Sequence, residues 1–274
     1  MSASIDNLIN VNFTKGRNDL LNFGLKLGGR GDHNPYISPL NRLIILLFSN
    51  NEQGAFYIPR PVVNGTQSLF QDAAGTTPVT ADGDPVGLMI DQSGNGNHAT
   101  QSVSGRRLVY IKDGSLDLIR SDGVDDSLQT IYAAAVTPPC VLSIALNKLD
   151  SGTGVTLSGL DRNTRHQIGY NSQDGGFYGL SGSEPRISGG LVAEGKRILT
   201  LVINGENSSL RVDGVAVASG TLDNRAAATG LTISSLYVDG FSVSQDVYGI
   251  VHVEGISKVD DIESYLAFLA GVTL

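Results

Sequence analysis

Beyond about residue 53 the apolar residues come in short runs, and each run ends in a turn built from Gly, Asn, Asp or Ser. That rhythm predicts antiparallel strands. The predicted strands are 86–90, 97–102, 107–111, 115–120, 139–147, 154–158, 165–170, 176–180, 197–204, 208–213, 215–219, 231–238 and 247–254. Two segments, Ile198-Leu199-Thr200-Leu201-Val202-Ile203 and Val141-Leu142-Ser143-Ile144-Ala145-Leu146, are apolar on both faces. Such strands belong in the middle of a sandwich. Leu210-Arg211-Val212 alternates, as a half-exposed strand does. Asn204-Gly205 and Asp213-Gly214 stand between apolar runs, where Asx-Gly accepts the positive φ of a tight hairpin. So many short strands predict an all-β fold, a two-sheet jelly-roll sandwich.

A helical period is clear near the C-terminal end. Val259, Ile262, Leu266 and Leu269 fall on one face. Ser257, with Asp260 three residues on, is the expected cap, and Gly271 is placed to end the helix. The stripe predicts packing against the sandwich.

The first fifty residues read differently. Asn7-Leu8-Ile9-Asn10-Val11-Asn12-Phe13 and Leu20-Leu21-Asn22-Phe23-Gly24-Leu25 precede the Gly-rich stretch 28–35. Such a short stretch buries no core alone, so residues 1–50 are expected to be an extended arm that orders on a partner, and 51–274 the sandwich. Arg30-Gly31-Asp32 is expected to be a Gly-rich turn, not an adhesion signal. Residues 41–52 fit either a helix or a strand and predict a short buried segment joining arm to sandwich.

Glycine, at 34 of 274 residues, is well above the ordinary ~7%, and it marks strand ends with no repeat period. The net charge of −8 comes mostly from Asp in turn-like sequences. No basic patch is visible, so nucleic acid is not an expected partner. Cys140 is the only cysteine, which excludes an internal disulfide. Its apolar setting predicts a buried, inert thiol. Met1–Asn12 lacks the features of a signal peptide, so synthesis is expected in a cytoplasm. The longest apolar run, Leu43–Phe48, has six residues and is too short to span a bilayer, so no membrane is an expected partner.

Catalytic signatures are lacking: no Gly-x-Ser-x-Gly, His-Glu-x-x-His or phosphate-binding loop occurs. His33, His98, His166 and His252 show no ligand spacing, and no metal site is assigned. His98 is expected to hydrogen-bond its own turn. Asp122, Asp125 and Asp126 flank a tight turn, for which an Asx-turn is the expected reading and calcium the alternative. The segment 161–186 gathers Arg162, Arg165, His166, Tyr170, Asp174, Phe177 and Tyr178 among Gly and Ser. Aromatic faces beside hydrogen-bonding groups suit sugars. Arg165, His166, Tyr170, Asp174 and Tyr178 are therefore the candidate ligand-binding residues, and the competing reading is that Tyr170 and Phe177 fill the sandwich.

Four segments carry a family resemblance. They are Gly54-Ala55-Phe56-Tyr57 with Ser68–Val79; Asp91-Gln92-Ser93-Gly94-Asn95-Gly96-Asn97-His98-Ala99-Thr100; Ser121-Asp122-Gly123-Val124-Asp125-Asp126-Ser127-Leu128; and Leu210–Val215 with the ending Tyr248–Leu274. In this order the chain from about 53 to 274 resembles the concanavalin A-like (laminin-G-like) jelly-roll domains of tailed-bacteriophage virion proteins. These include tail fibres, baseplate parts and capsid decorations. The resemblance implies a virion structural protein with a lectin-like body, serving decoration or weak adhesion to cell-surface glycans. Residues 1–50 would attach it to other virion proteins, and a homotrimer is expected. A cement or spacer without a ligand is the alternative. Related sequences often carry Trp where Phe56 stands, and this chain has no Trp. Glycoside hydrolases on this fold need two carboxylates in a Glu-x-Asp-x-x-Glu type strand. Glu52, Glu184, Glu194, Glu206, Glu254 and Glu263 fall in no such pattern, so the chain is expected not to be an enzyme and to need no cofactor.

Overall fold

The computed structural model describes residues 37–173, 175–191, 195–236 and 240–274. The elements begin with α1 (Pro39–Phe48), then β1 (Gly54–Tyr57), β2 (Val62–Val63), β3 (Thr66–Gln67), β4 (Leu69–Phe70), β5 (Pro85–Val86), β6 (Leu88–Met89) and β7 (Ala99–Thr100). Longer strands follow: β8 (Leu108–Asp113), β9 (Leu116–Asp122), β10 (Leu128–Val136), β11 (Cys140–Lys148), β12 (Gly154–Ser158), β13 (His166–Asn171), β14 (Gly176–Ser181) and β15 (Arg186–Leu191). The chain closes with β16 (Lys196–Ile203), β17 (Ser208–Val212), β18 (Val215–Gly220), β19 (Ala228–Ile233), β20 (Ser244–Glu254) and α2 (Val259–Ala270).

Two antiparallel sheets form the all-β sandwich that the alternation predicts. The first runs β18-β17-β16-β11-β20-β9-β8-β5, with β1 also paired to β20. The second runs β15-β14-β13-β12-β19-β10-β7-β6-β4. Between them lies the main core, including Leu142, Ile144, Leu157, Ile168, Leu199, Leu231 and Ile250. A second apolar layer covers the back of the first sheet: Phe56, Val141, Ala145, Ile198 and Val251 pack with Leu43 and Leu47 of α1 and Leu266 and Leu269 of α2. That layer explains why β11 is buried on both faces. Leu142 and Ile144 point into the sandwich, and Val141 and Ala145 point to the helices. Gly249 lets α2 sit close, because a Cβ there would stand 2.7 Å from Leu269 Cδ1.

Several expectations are settled or corrected locally. The short buried segment predicted within 41–52 is present as a helix over 39–48, packed into the helical layer rather than standing with the arm. Its signals were available: the Ser38 side chain accepts from the Asn41 N–H at 3.1 Å, and Pro39 follows it. Proline is favoured at the first helical turn. Residues 1–36, the rest of the expected arm, lie outside the described residues. The cap of α2 is Lys258 rather than Ser257, and it makes no side-chain cap bond. Gly271 ends α2 in the left-handed conformation, as expected. Asp213-Gly214 forms its tight turn, with φ of 49° and 82°. Asn204-Gly205 instead opens a single 3-10 turn before β17.

Candidate functional site

The second sheet has no helical layer among the described residues, and its outer face exposes Gln129, Ile131 and Arg186. Strand pleating decides what that face presents. Gly169 pairs with Tyr178 and Tyr170 with Phe177, so the two tyrosines point to opposite sides of the β13–β14 hairpin. Tyr178 points outward and lies on bare backbone: a Cβ at Gly169 would be 2.5 Å from its Cζ and Oη. Gln167 Nε2 donates to Tyr178 Oη at 2.8 Å, and the Arg186 guanidinium stands 5.3 Å from the ring centroid. Arg165, just before β13, shares this side and donates from Nε to the Gly182 carbonyl at 3.3 Å. Burial raises the Tyr178 phenol above its ordinary value, against the Gln167 bond and the charges of Arg165 and Arg186. Two guanidiniums and a phenol, the phenol backed by the buried Gln167 carboxamide, thus gather on the outer face of a chain whose net charge is −8. Such a set presents positive charge and hydrogen-bond donors to an anionic, polar ligand.

Of the predicted ligand residues, Arg165 and Tyr178 come together here. Tyr170 does not join them. It packs inward, edge-on to Phe177 at 5.2 Å between centroids, with Lys148 Nζ 4.6 Å over its ring. His166, also predicted to bind ligand, is fully buried and does not reach this face. Asp174 lies outside the described residues. Gln167 and Arg186 were missed, although Arg165, Gln167 and Gly169 share one parity along β13 and were recoverable from alternation alone.

His166 belongs to a buried polar chain between the sheets. Its Nε2 lies 2.9 Å from the Ala226 carbonyl, its Nδ1 2.9 Å from His252 Nε2, and His252 Nδ1 2.9 Å from Tyr132 Oη. A carbonyl only accepts, so the tautomers follow. His166 donates from Nε2 to Ala226, His252 donates from Nε2 to His166, and Tyr132 donates to His252 Nδ1. Both rings are neutral. Burial pushes His166 down to about 4, and burial with the neighbouring His166 holds His252 well below the ordinary value. Cys140 Sγ lies 3.6 Å from His166 Nδ1 and is buried, as its apolar setting predicts.

The acidic turn after β9 is an Asx-turn. Asp122 Oδ1 accepts the Val124 N–H at 2.7 Å, and Asp126 Oδ2 accepts the Asp122 N–H at 3.1 Å. Burial, with the charges of Asp122 and Asp125, raises the Asp126 carboxyl from 3.8 to about 6. The folded state therefore holds this proton more tightly than the unfolded chain. Stability from this group falls as pH rises from about 4 to about 6, then levels. Asp126→Asn is expected to remove that fall and to raise stability at pH 7 by about 1–2 kcal/mol. Urea unfolding at pH 4, 5, 6 and 7 checks this, and an unchanged pH slope would sink it. His98 Nδ1 accepts the Asp91 N–H at 3.1 Å, as its place in the turn predicts.

No family model and no curated protein matches this chain. Solved structures do. A Trypanosoma rangeli sialidase matches at a TM-score of 0.51 and 13% identity, over 81% of this chain and 33% of the sialidase. The binding domain of botulinum neurotoxin serotype D, solved with N-acetylneuraminic acid, matches at 0.51 and 9% identity, over 66% of this chain and 48% of that one. A botulinum neurotoxin type C structure, described as interacting with two ganglioside molecules, matches at 0.53 and 11%, over 80% and 52%. The likeness is one of fold. This chain spans about a third of the length of the sialidase and about half that of the neurotoxin chains. The likeness overturns one expectation. A chain without a glycosidase pattern was expected not to be an enzyme, yet its fold is one that a sialidase, an enzyme, also carries.

Proposed function

We propose that this chain is a glycan-binding β-sandwich of a tailed-bacteriophage virion protein, and that its outer face takes an acidic sugar. The observation that carries the binding site is Tyr178 seated on Gly169 between Arg165 and Arg186. A sugar carboxylate suits the planar guanidinium fork, and the Tyr178 phenol, held in place by Gln167 beneath it, suits a hydroxyl. The fold likeness supports this ligand class, since a similar sialidase structure was solved with sialic acid and a similar neurotoxin domain with N-acetylneuraminic acid. The ordered segments from Gly54 to Leu274 support the virion setting. There, the residues that precede α1 anchor the domain to other virion proteins, as a homotrimer. Many weak copies then give useful avidity.

A glycan array probed with multivalent protein tests the site. Sialylated or otherwise acidic glycans are expected to bind in preference to neutral ones. Arg186→Ala and Tyr178→Ala are each expected to weaken binding about tenfold or more, about 1.4 kcal/mol. Gly169→Ala lifts the Tyr178 ring without deleting a polar group, and is expected to do the same. Binding that ignores all three changes would place the site elsewhere. Silence with every glycan would favour a cement or spacer without a ligand. Mass spectrometry of purified phage particles tests the setting, because a virion component co-purifies at a fixed copy number.

A further inference from the structure

We infer that Cys140, His166 and His252 form a buried binding site for a monovalent copper ion. Three elements bring the donors together. Cys140 opens β11, His166 opens β13 in the opposite sheet, and His252 lies near the end of β20. Sγ, Nδ1 of His166 and Nε2 of His252 all lie within 4.8 Å of one another, and all three residues are fully buried.

The surroundings are already those of a ligand set. A metal-bound imidazole keeps its orientation by giving its other N–H to a carbonyl or another oxygen. His166 directs Nδ1 inward while Nε2 is held by the Ala226 carbonyl at 2.9 Å. His252 directs Nε2 inward while Nδ1 faces Tyr132 Oη at 2.9 Å. The Cys140–His166 separation of 3.6 Å is close to an edge of a thiolate–imidazole site. Metal–nitrogen bonds of about 2.0–2.1 Å set two nitrogens of a trigonal site about 3.5 Å apart. The rings, now 2.9 Å apart, therefore part by about half an ångström as one hydrogen bond is exchanged for two metal bonds.

Charge selects the ion. The group has three members, a thiol and two neutral imidazoles, in an apolar interior. A divalent ion with one thiolate would leave a net positive charge there, which a low-dielectric core penalises heavily. A monovalent ion leaves none. Thiolate with imidazole also suits soft Cu(I), and three donors meet its trigonal preference. The reaction balances: Cu+ and the Cys140 thiol give a copper–thiolate bond and release one proton. His252 changes tautomer, its N–H now on Nδ1 and its Nε2 lone pair on the metal, and the Tyr132 hydroxyl turns its own proton away so that Oη accepts from Nδ1. Because every donor is buried, the ion loads as the chain folds.

The full chain, unfolded in guanidinium and refolded anaerobically with Cu+ or with Zn2+, tests the site. About one equivalent of copper is expected to remain after gel filtration against a Cu+ chelator, with a thiolate-to-copper absorption in the near ultraviolet. Cys140→Ser is expected to lower retained copper at least tenfold. If that variant does not refold, X-ray absorption at the copper edge of the unaltered protein decides, with one sulfur and two nitrogens expected. Copper at a tenth of an equivalent or less, a sulfur-free shell, or retention of zinc in preference to copper would overturn the inference. The cluster would then be a hydrogen-bonded relay only.

Discussion

Asp91→Ala is expected to lower the unfolding free energy by about 3–5 kcal/mol, among the largest losses from a single side chain. The buried Asp91 carboxylate accepts the backbone N–H groups of Phe56 at 2.9 Å, Ser93 at 2.9 Å and Asn97 at 3.0 Å, and the Ser93 hydroxyl at 2.6 Å. Its removal leaves three N–H groups without that partner, each costing about 1–3 kcal/mol when buried. The same loop holds β1 a second way, because Asn95 and Asn97 side chains donate to the Gly54 carbonyl at 2.9 and 2.7 Å. Asp91→Asn keeps one acceptor and is expected to cost about half as much. Chemical denaturation of both variants checks the order, and a midpoint for Asp91→Ala within error of the parent would show that the knot carries no stability. The Asp91–Thr100 segment therefore has a mechanical reason to read as it does. It fastens the first strand of the sandwich to the β6–β7 part of the second sheet.

Arg211→Ala is expected to be nearly as damaging. Arg211, on β17, meets Glu263 of α2 through two parallel bonds of 2.8 Å, and Glu263 is 1% exposed. Removing the guanidinium leaves a buried carboxylate uncompensated, a loss of about 3–5 kcal/mol. Arg211→Met with Glu263→Leu removes both charges, and this double change is expected to recover most of that loss. Urea unfolding of the parent and these two variants checks the order of stabilities. A double variant no better than Arg211→Ala would show that the pair orients α2 rather than merely neutralising itself.

The architecture was legible because its signals are local. Alternation along the strands, Asp213-Gly214 at a hairpin and Gly271 at the end of α2 each act within a few residues. α1 was ambiguous because Leu43–Phe48 is apolar whichever period is imposed, and the deciding Ser38–Pro39 signal stands outside that run. The candidate site was half legible. Arg165 and Tyr178 share a face, but Tyr170 and His166 do not join them, because register places Tyr170 opposite Phe177 and pleating turns His166 into the core. Composition gathers residues along the chain, whereas the pleat sorts them by parity. The convergence of Cys140, His166 and His252 had no sequence signal. It depends on three strands from two sheets meeting at one depth.

The pairing of β20 sets a clock on the making of this protein. It lies against β11 on one side, and against β9 and β1 on the other. A ribosome delivers β1, β9 and β11 well before it. Until residue 254 is free of the exit tunnel, each of those strands keeps a bare edge facing the gap that β20 will fill. Bare edges are templates for association with other chains. A nascent chain halted before residue 244 thus holds two half-sheets with no centre, ready to pair with its neighbours on the same message. Delivery of residues 244–254 is therefore the step that closes these edges.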